Sequence, residues 1–246
     1  MSAARRESQV VGSGGPAVVQ SSEGEERNDM TALVTAIACC VCRAPRVRFF
    51  LSVQARHYWR CDTCMATFLE PAQRPSREEE HAHYLHHEND AVDPAYRRFL
   101  WKVVAPLLSR LPAGAEGLDY GCGPGPALAA MLREAGHPVR LYDPFFAPDP
   151  SAFDRTYDFI TCTETAEHFH APADELDRLG SMLHPGGLVA IMTSFQPGDD
   201  QFTRWHYRRD PTHVVFYGEA TFRHLAQQRG WRCEVPARDI AFLHVP

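Results

Sequence analysis

The chain has 246 residues, a formal net charge of −6 and 44% apolar residues. This is apolar content enough for a packed core, and the acidic balance argues against a surface dominated by nucleic-acid contacts. No run of about 18 apolar residues occurs and the start, Met1-Ser-Ala-Ala-Arg-Arg-Glu-Ser-Gln-Val10, lacks a hydrophobic signal core, so the expected location is cytoplasmic.

Residues 1–30 combine Ser, Gly, Glu and Arg without a sustained period and are expected to form a disordered tail. A cysteine-rich unit follows at 36–70 and ends at Pro71. Five of the eight cysteines fall between Cys39 and Cys64, and this clustering points to metal rather than to disulfides. Cys39-x2-Cys42 and Cys61-x2-Cys64 offer two close thiolate pairs, and the 18 residues between them can form a hairpin that brings the pairs together around Zn²⁺. Cys40 stays outside that shell. A cluster of buried thiols is the other reading. A four-sulfur shell leaves no position for substrate, so such a zinc would be structural. Arg43, Arg46, Arg48, Arg56 and Arg60 interleave with Phe49, Phe50, Tyr58 and Trp59 in this unit. That mixture can contact phosphates and stack bases. The preferred alternative makes the aromatics the core of the zinc hairpin and turns the arginines to solvent, because a short zinc module needs its own apolar cover.

Residues 76–112 read as a helical linker. A polar, histidine-rich segment with His81, His83 and His86, for which exposure is expected, leads into a stretch with Phe99, Val103 and Leu107 at helical spacing. Pro106 is expected to bend or divide that helix. From 113 to 246 strands and helices alternate, the pattern of a parallel α/β unit. Strands are predicted at 117–120, 139–142, 157–161 and 188–192, with two short terminal strands at 231–235 and 240–245. Helices are predicted at 126–135, 173–183 and 219–229. Only 13 residues separate Asp143 from Tyr157, too few for a full crossover, so that connection must be trimmed.

The turn Asp119-x-Gly121-x-Gly123-x-Gly125 lacks the spacing of the dinucleotide fingerprint and has no following Lys-Ser/Thr for a phosphate loop. Its glycines allow backbone to approach a ligand at the end of a parallel strand. Asp143, 24 residues after Asp119, ends the next strand where a carboxylate can grip ribose hydroxyls. Leu118-Asp-Tyr-Gly-Cys-Gly-Pro-Gly125, Leu141-Tyr-Asp-Pro144, Tyr157-Asp-Phe-Ile160, Glu164-Thr-Ala-Glu-His168 and Leu183-His-Pro-Gly-Gly-Leu188 together resemble class I S-adenosylmethionine-dependent methyltransferases, over residues 95–235. The Cys-bearing start and Tyr84-Leu-His-His-Glu-Asn89 resemble a bacterial subgroup of that family.

The resemblance implies a doubly wound, mostly parallel α/β sheet behind a small zinc-ribbon-like module, with S-adenosyl-L-methionine as cofactor and structural Zn²⁺. Asp119 and the backbone of Gly121, Gly123 and Gly125 would hold the methionine end and Asp143 the ribose. Pro144 and Phe145 would flank adenine, Thr163 and Glu164 would line the cleft, and Tyr84 would close over it. Asp149 and Asp154 are the candidates for the adenine amine. Segment 76–112 becomes a linker and cofactor lid, and 113–246 the cofactor-binding domain. An insertion after the fifth strand holds Phe195, Trp205-His-Tyr-Arg-Arg-Asp-Pro-Thr-His213 and Phe216-Tyr217. His213 is the preferred general base, oriented by Asp210, with His168 second, and a structural histidine is the alternative for each. Trp205 and Tyr207 suit an aromatic wall, and Arg204, Arg208 and Arg209 either bind an acidic substrate or face water.

A small-molecule acceptor is the leading expectation, with no membrane partner. An RNA acceptor, tRNA or rRNA docked through the zinc module, is the alternative, to be supported by an arginine surface continuous with the cleft. A noncatalytic cofactor-binding interaction protein and an oxidoreductase complete the competing classes.

Overall fold

A computed structural model describes residues 38–86 and 90–246. The tail 1–30, the start of the cysteine unit and residues 87–89 of the pre-core segment lie outside the described residues.

The cysteine unit forms an antiparallel sheet of β1 (Val47–Val53), β2 (Arg56–Cys61) and β3 (Thr67–Leu69). Gln54 and Ala55, both left-handed (φ 52° and 60°), make the two-residue turn between β1 and β2, a geometry that matches the twist of paired strands. α1 (Arg77–Tyr84) starts with a capping box, in which Ser76 Oγ accepts from the Glu79 amide and the Glu79 carboxylate accepts from the Ser76 amide. α2 (Pro94–Leu108) is capped by Asp93 and runs through Pro106. The expected division at that proline does not occur. Pro106 lies in the last turn, and the buried side chains of Leu100, Val103, Val104 and Leu107 hold the helix in place on either side of it.

The second sheet contains β4 (Gly117–Tyr120), β5 (Val139–Tyr142), β6 (Tyr157–Thr163), β7 (Leu183–Met192), β9 (Arg232–Ala237) and β10 (Ile240–His244), in the spatial order β5-β4-β6-β7-β10-β9. β5, β4, β6 and β7 are parallel, and β10 runs antiparallel to both its neighbours. This is the doubly wound, mostly parallel sheet expected from the sequence. Alternation along β7 explains why both faces are covered. Leu188, Ala190 and Met192 pack with α2 and with α3 (Ala127–Glu134), whereas Val189 and Ile191 pack with Leu176 and Leu179 of α4 (Pro172–Ser181) and with Phe222 and Leu225 of α6 (Glu219–Arg229). Between Asp143 and Tyr157 only one 3₁₀ turn, Pro150–Asp154, intervenes, so the connection is trimmed as predicted.

The insertion after β7 carries a short helix α5 (Asp199–Phe202) and a two-residue strand β8 (Val215–Phe216). β8 pairs with β3, extending the cysteine-bearing sheet to the order β1-β2-β3-β8. The hydrophobic interior is continuous here too, since Tyr58, Phe68, Phe202 and Phe216 belong to the cluster that lines one face of the larger sheet.

Candidate functional site

The four predicted cysteines converge. Cys39, Cys42, Cys61 and Cys64 are all buried, with Sγ atoms 3.7 Å apart for Cys39 and Cys64 and 3.6 Å for Cys42 and Cys61. A tetrahedron with Zn–S of about 2.3 Å has edges of about 3.8 Å, so the spacing fits zinc. Arg43 and Met65, each following the second cysteine of a pair, are left-handed (φ 62° for both). The turns so formed aim the Val41 amide at Cys39 Sγ and the Thr63 and Cys64 amides at Cys61 Sγ, which favours thiolate. Cys40 stays apart, beside Arg74, and burial pushes its thiol up to about 11.

The aromatics divide as a two-faced sheet requires. Tyr58 is fully buried and Phe49 is exposed. The arginines do not all face water. Arg60 is buried, with its guanidinium 3.9 Å from the Phe50 ring centre and bonded to Thr67 and Asp199. Arg43 pairs with Asp174 and Asp177, and Arg48 pairs with Asp62.

At the carboxyl ends of β4, β5 and β6 lies a cavity of about 870 Å³. Gly121, Gly123, Asp143, Pro144, Phe145, Glu164, Tyr84, His168, Asp210 and His213 line it. Asp119, Gly125 and Thr163 lie behind that lining. Asp119 is buried beneath the glycine turn, accepts from Thr161 Oγ1 at 2.8 Å, and is raised by burial from 3.8 to about 6. Neither Asp149 nor Asp154 reaches the cavity wall.

Two glycines need their lack of a side chain. Gly121 (φ +81°) would place a Cβ 2.3 Å from Thr165 Cγ2, while Gly123 (φ +63°) opens onto empty space. Asp143 ties this turn to the end of β5. Its Oδ2 accepts from the Gly123 amide at 3.0 Å, and its Oδ1 accepts from the Phe145 and Phe146 amides at 2.8 and 3.0 Å.

α1 crosses the cavity. Arg77 donates to the Pro144 carbonyl at 3.0 Å, His81 stacks on Phe145 with ring centres 5.0 Å apart, and His170 and Glu80 pair at 2.9 Å. His83 is not the solvent-facing group expected, because it is half-buried with Nε2 3.3 Å from Asp210 Oδ2.

Opposite the glycine turn, Glu167, His168 and His213 meet. His213 Nδ1 lies 2.7 Å from the Tyr207 carbonyl and His168 Nδ1 3.0 Å from the Thr212 carbonyl. A carbonyl only accepts, so each Nδ1 carries a proton and Nε2 is the nitrogen turned toward Glu167. The contact orienting His213 therefore comes from Tyr207, whereas Asp210 Oδ2 lies 3.9 Å from Nε2. Asp210 holds its own loop instead, with Oδ1 accepting from the Thr212 amide and hydroxyl. Burial pushes Asp210 up, but the Thr212 bonds and the neighbouring imidazoles outweigh it and leave its pKa at about 2. Burial keeps His213 below its ordinary value, hence neutral.

Tyr207 is a hub that residue spacing did not reveal, although it sits inside the singled-out insertion. Its hydroxyl donates to Glu167 Oε1 and lies 3.2 Å from both Glu164 Oε2 and Thr193 Oγ1. One phenolic proton cannot serve two carboxylates. Burial, with Glu167 nearby, pushes Glu164 up to about 8, so the Tyr207 hydroxyl sits between a carboxyl raised by its surroundings and the Glu167 carboxylate. Tyr96 of α2 also lines the cavity. Trp205 packs on Tyr207 with ring centres 5.2 Å apart, whereas Arg208 is buried and donates to the Thr203 carbonyl, away from the cavity. Among the described residues no helix is long and apolar enough to cross a membrane.

Comparison with known proteins follows this geometry. The curated ubiquinone biosynthesis O-methyltransferase of Photorhabdus laumondii is 26% identical over 91 residues, which is 37% of this chain and 38% of that protein. Among solved structures, the 1,6-didemethyltoxoflavin-N1-methyltransferase of Burkholderia thailandensis, with 1,6-didemethyltoxoflavin and S-adenosylhomocysteine bound, is similar over 81% of this chain and 99% of its own, at 16% identity and a TM-score of 0.50. The S-adenosylhomocysteine-bound CalO1 methyltransferase of calicheamicin biosynthesis matches 59% of this chain and 53% of its own, at 15% identity and a TM-score of 0.44. The chain thus spans less than two thirds of the length of the curated relative and of CalO1, and the structural likeness is one of fold. The family model described as a methyltransferase domain matches residues 84–234, more than half of the chain, and the chain belongs to that methyltransferase domain family.

Proposed function

We propose that the protein is an S-adenosylmethionine-dependent methyltransferase acting on a small molecule. The observation that carries this reading is one cavity of about 870 Å³ with the glycine turn and Asp143 at one end and Glu167, His168 and His213 at the other. That volume suits a cofactor and a small acceptor side by side. Asp119, beneath the turn, supplies a buried charge for the methionine amine, the backbone at Gly121 and Gly123 faces the methionine end with Gly125 ending the turn, and Asp143 takes the ribose. Pro144 and Phe145 flank the base, Glu164 closes the side with Thr163 behind it, and Tyr84 covers the cofactor from α1.

Methyl transfer is an in-line displacement, in which the acceptor atom approaches the methyl from the side opposite sulfur. His213 takes the acceptor's proton on Nε2 where one must leave, His168 stands second, and Asp210 sets the loop that carries His213. Neutral His213 with its Nδ1–H already given to the Tyr207 carbonyl is in the protonation state a base needs.

The cysteine cluster holds a structural zinc in this reading. The working division is a zinc-binding module at 36–70, a linker and lid at 76–112 and a cofactor-binding domain at 113–246. Pairing of Arg43, Arg48 and Arg60 with acidic residues favours a small acceptor over RNA.

The test is mass spectrometry of cell extract incubated with the protein and methyl-labelled cofactor, beside calorimetry of cofactor binding. A labelled small product with micromolar cofactor binding is expected. Preference for a nicotinamide cofactor, or label recovered only in RNA, would overturn the assignment.

A further inference from the structure

Glu167 is wholly buried, yet the proposed transfer gives it no direct part. Its Oε1 lies 3.9 Å from His168 Nε2 and 4.0 Å from His213 Nε2. Its other oxygen, Oε2, is buried without a hydrogen-bond partner, an unfavourable arrangement for a carboxylate that nothing else satisfies. Two imidazole nitrogens and one carboxylate oxygen converge, all within 4.8 Å of one another.

Both imidazoles are held from behind by backbone carbonyls at Nδ1, the support that metal-binding histidines use. With two sides of 3.9 and 4.0 Å and the third within 4.8 Å, the three atoms have a common centre at most about 2.5 Å from each, within a small adjustment of the 2.0–2.2 Å of nitrogen and oxygen ligands to first-row ions. Two nitrogens and one oxygen suit such ions, whereas magnesium and calcium want oxygen throughout.

We propose that Glu167, His168 and His213 form a second metal site, separate from the cysteine cluster, for a divalent first-row transition ion. The ion is an inhibitor of methyl transfer, because Nε2 of His213 cannot hold a cation and take a proton. The inhibitory part rests on the reading of His213 as base, whereas the site itself stands on the geometry alone.

Cobalt(II) is the probe, added to the full chain freed of metal. Thiolate-to-cobalt charge-transfer absorption reports the cysteine site, weak ligand-field bands report a nitrogen and oxygen site, and elemental analysis counts the total. A second equivalent is expected to bind without adding thiolate absorption, and transfer is expected to fall about 100-fold as it binds, the scale of a lost general base. Glu167→Gln and His213→Gln should keep the thiolate band and lose the second equivalent, with the retained band reporting that the adjoining fold is intact. A single equivalent in the parent protein, or a second one that survives in both variants, would refute the site. Transfer that rises with the second equivalent would refute the inhibitory role. Stoichiometry is read without turnover, so a failure of the methyltransferase reading leaves the metal result standing on its own.

Discussion

Asp119 makes the protein's stability depend on pH in a calculable way. Its carboxyl is buried under the glycine turn, and desolvation outweighs the Thr161 bond, raising it from 3.8 to about 6. The folded state thus binds this proton more tightly than the unfolded chain. The stability that Asp119 contributes is complete below about pH 4 and is lost as pH rises through about 6. A shift of about two units corresponds to about 3 kcal/mol, of which about 1.4 kcal/mol falls between pH 5 and pH 8. Asp119→Asn removes the titration. Its own hydrogen-bond changes do not depend on pH and cancel from the slope. Urea unfolding of parent and variant at both pH values should show the parent losing about 1.4 kcal/mol relative to the variant on going to pH 8. S-adenosylmethionine, whose amine would sit against the carboxylate, should flatten the slope in the parent. A relative gain by the parent at pH 8, or no slope, would refute the burial argument.

Gly121→Ala should weaken cofactor binding at least about tenfold and destabilise by about 1–3 kcal/mol, read by calorimetry and thermal melting, because the left-handed backbone and the Thr165 contact both oppose a methyl group. Asp143→Ala releases the Gly123, Phe145 and Phe146 amides together, and a cofactor affinity loss of about 10–100-fold is expected by titration, with unchanged affinity counting against the ribose role. Leu107→Ala, on the fully buried face of α2, should cost about 2–5 kcal/mol in urea unfolding. Removing metal with a chelator should expose amides of β3 and β8 together in hydrogen exchange, since Leu69 donates to the Val214 carbonyl and Val214 donates to the Glu167 carbonyl. Exchange confined to β1 and β2 would show that the cysteine sheet does not support the loop that carries His213.

Local chemistry carried much of this protein into legible form. The cysteine pairs, the glycine turn and the acidic strand ends each need particular residue types at short spacing, and periodicity separated the parallel strands from their helices. The trimmed link after Asp143 followed from counting residues. Pro106 does not divide its helix, because a proline in the last turn disrupts little of a helix already held by four buried side chains.

What sequence spacing could not supply is every relation made across long separations. Asp119 and Gly125 share a motif with Gly121 and Gly123, but packing put the first two behind the cavity wall and the other two on it. Glu167 and His213 are 46 residues apart in number, and tertiary contacts bring the latter's loop against the former: the Val214 amide donates to the Glu167 carbonyl, the Tyr217 hydroxyl to the Ala166 carbonyl, and His168 to the Thr212 carbonyl. Tyr207 reads as an aromatic until folding sets its hydroxyl between two carboxylates. Short-range patterns are written in residue order because they depend on local backbone geometry. A shared proton or a converging ligand set depends on distances of a few ångströms between segments, and those distances exist only once the sheets have assembled.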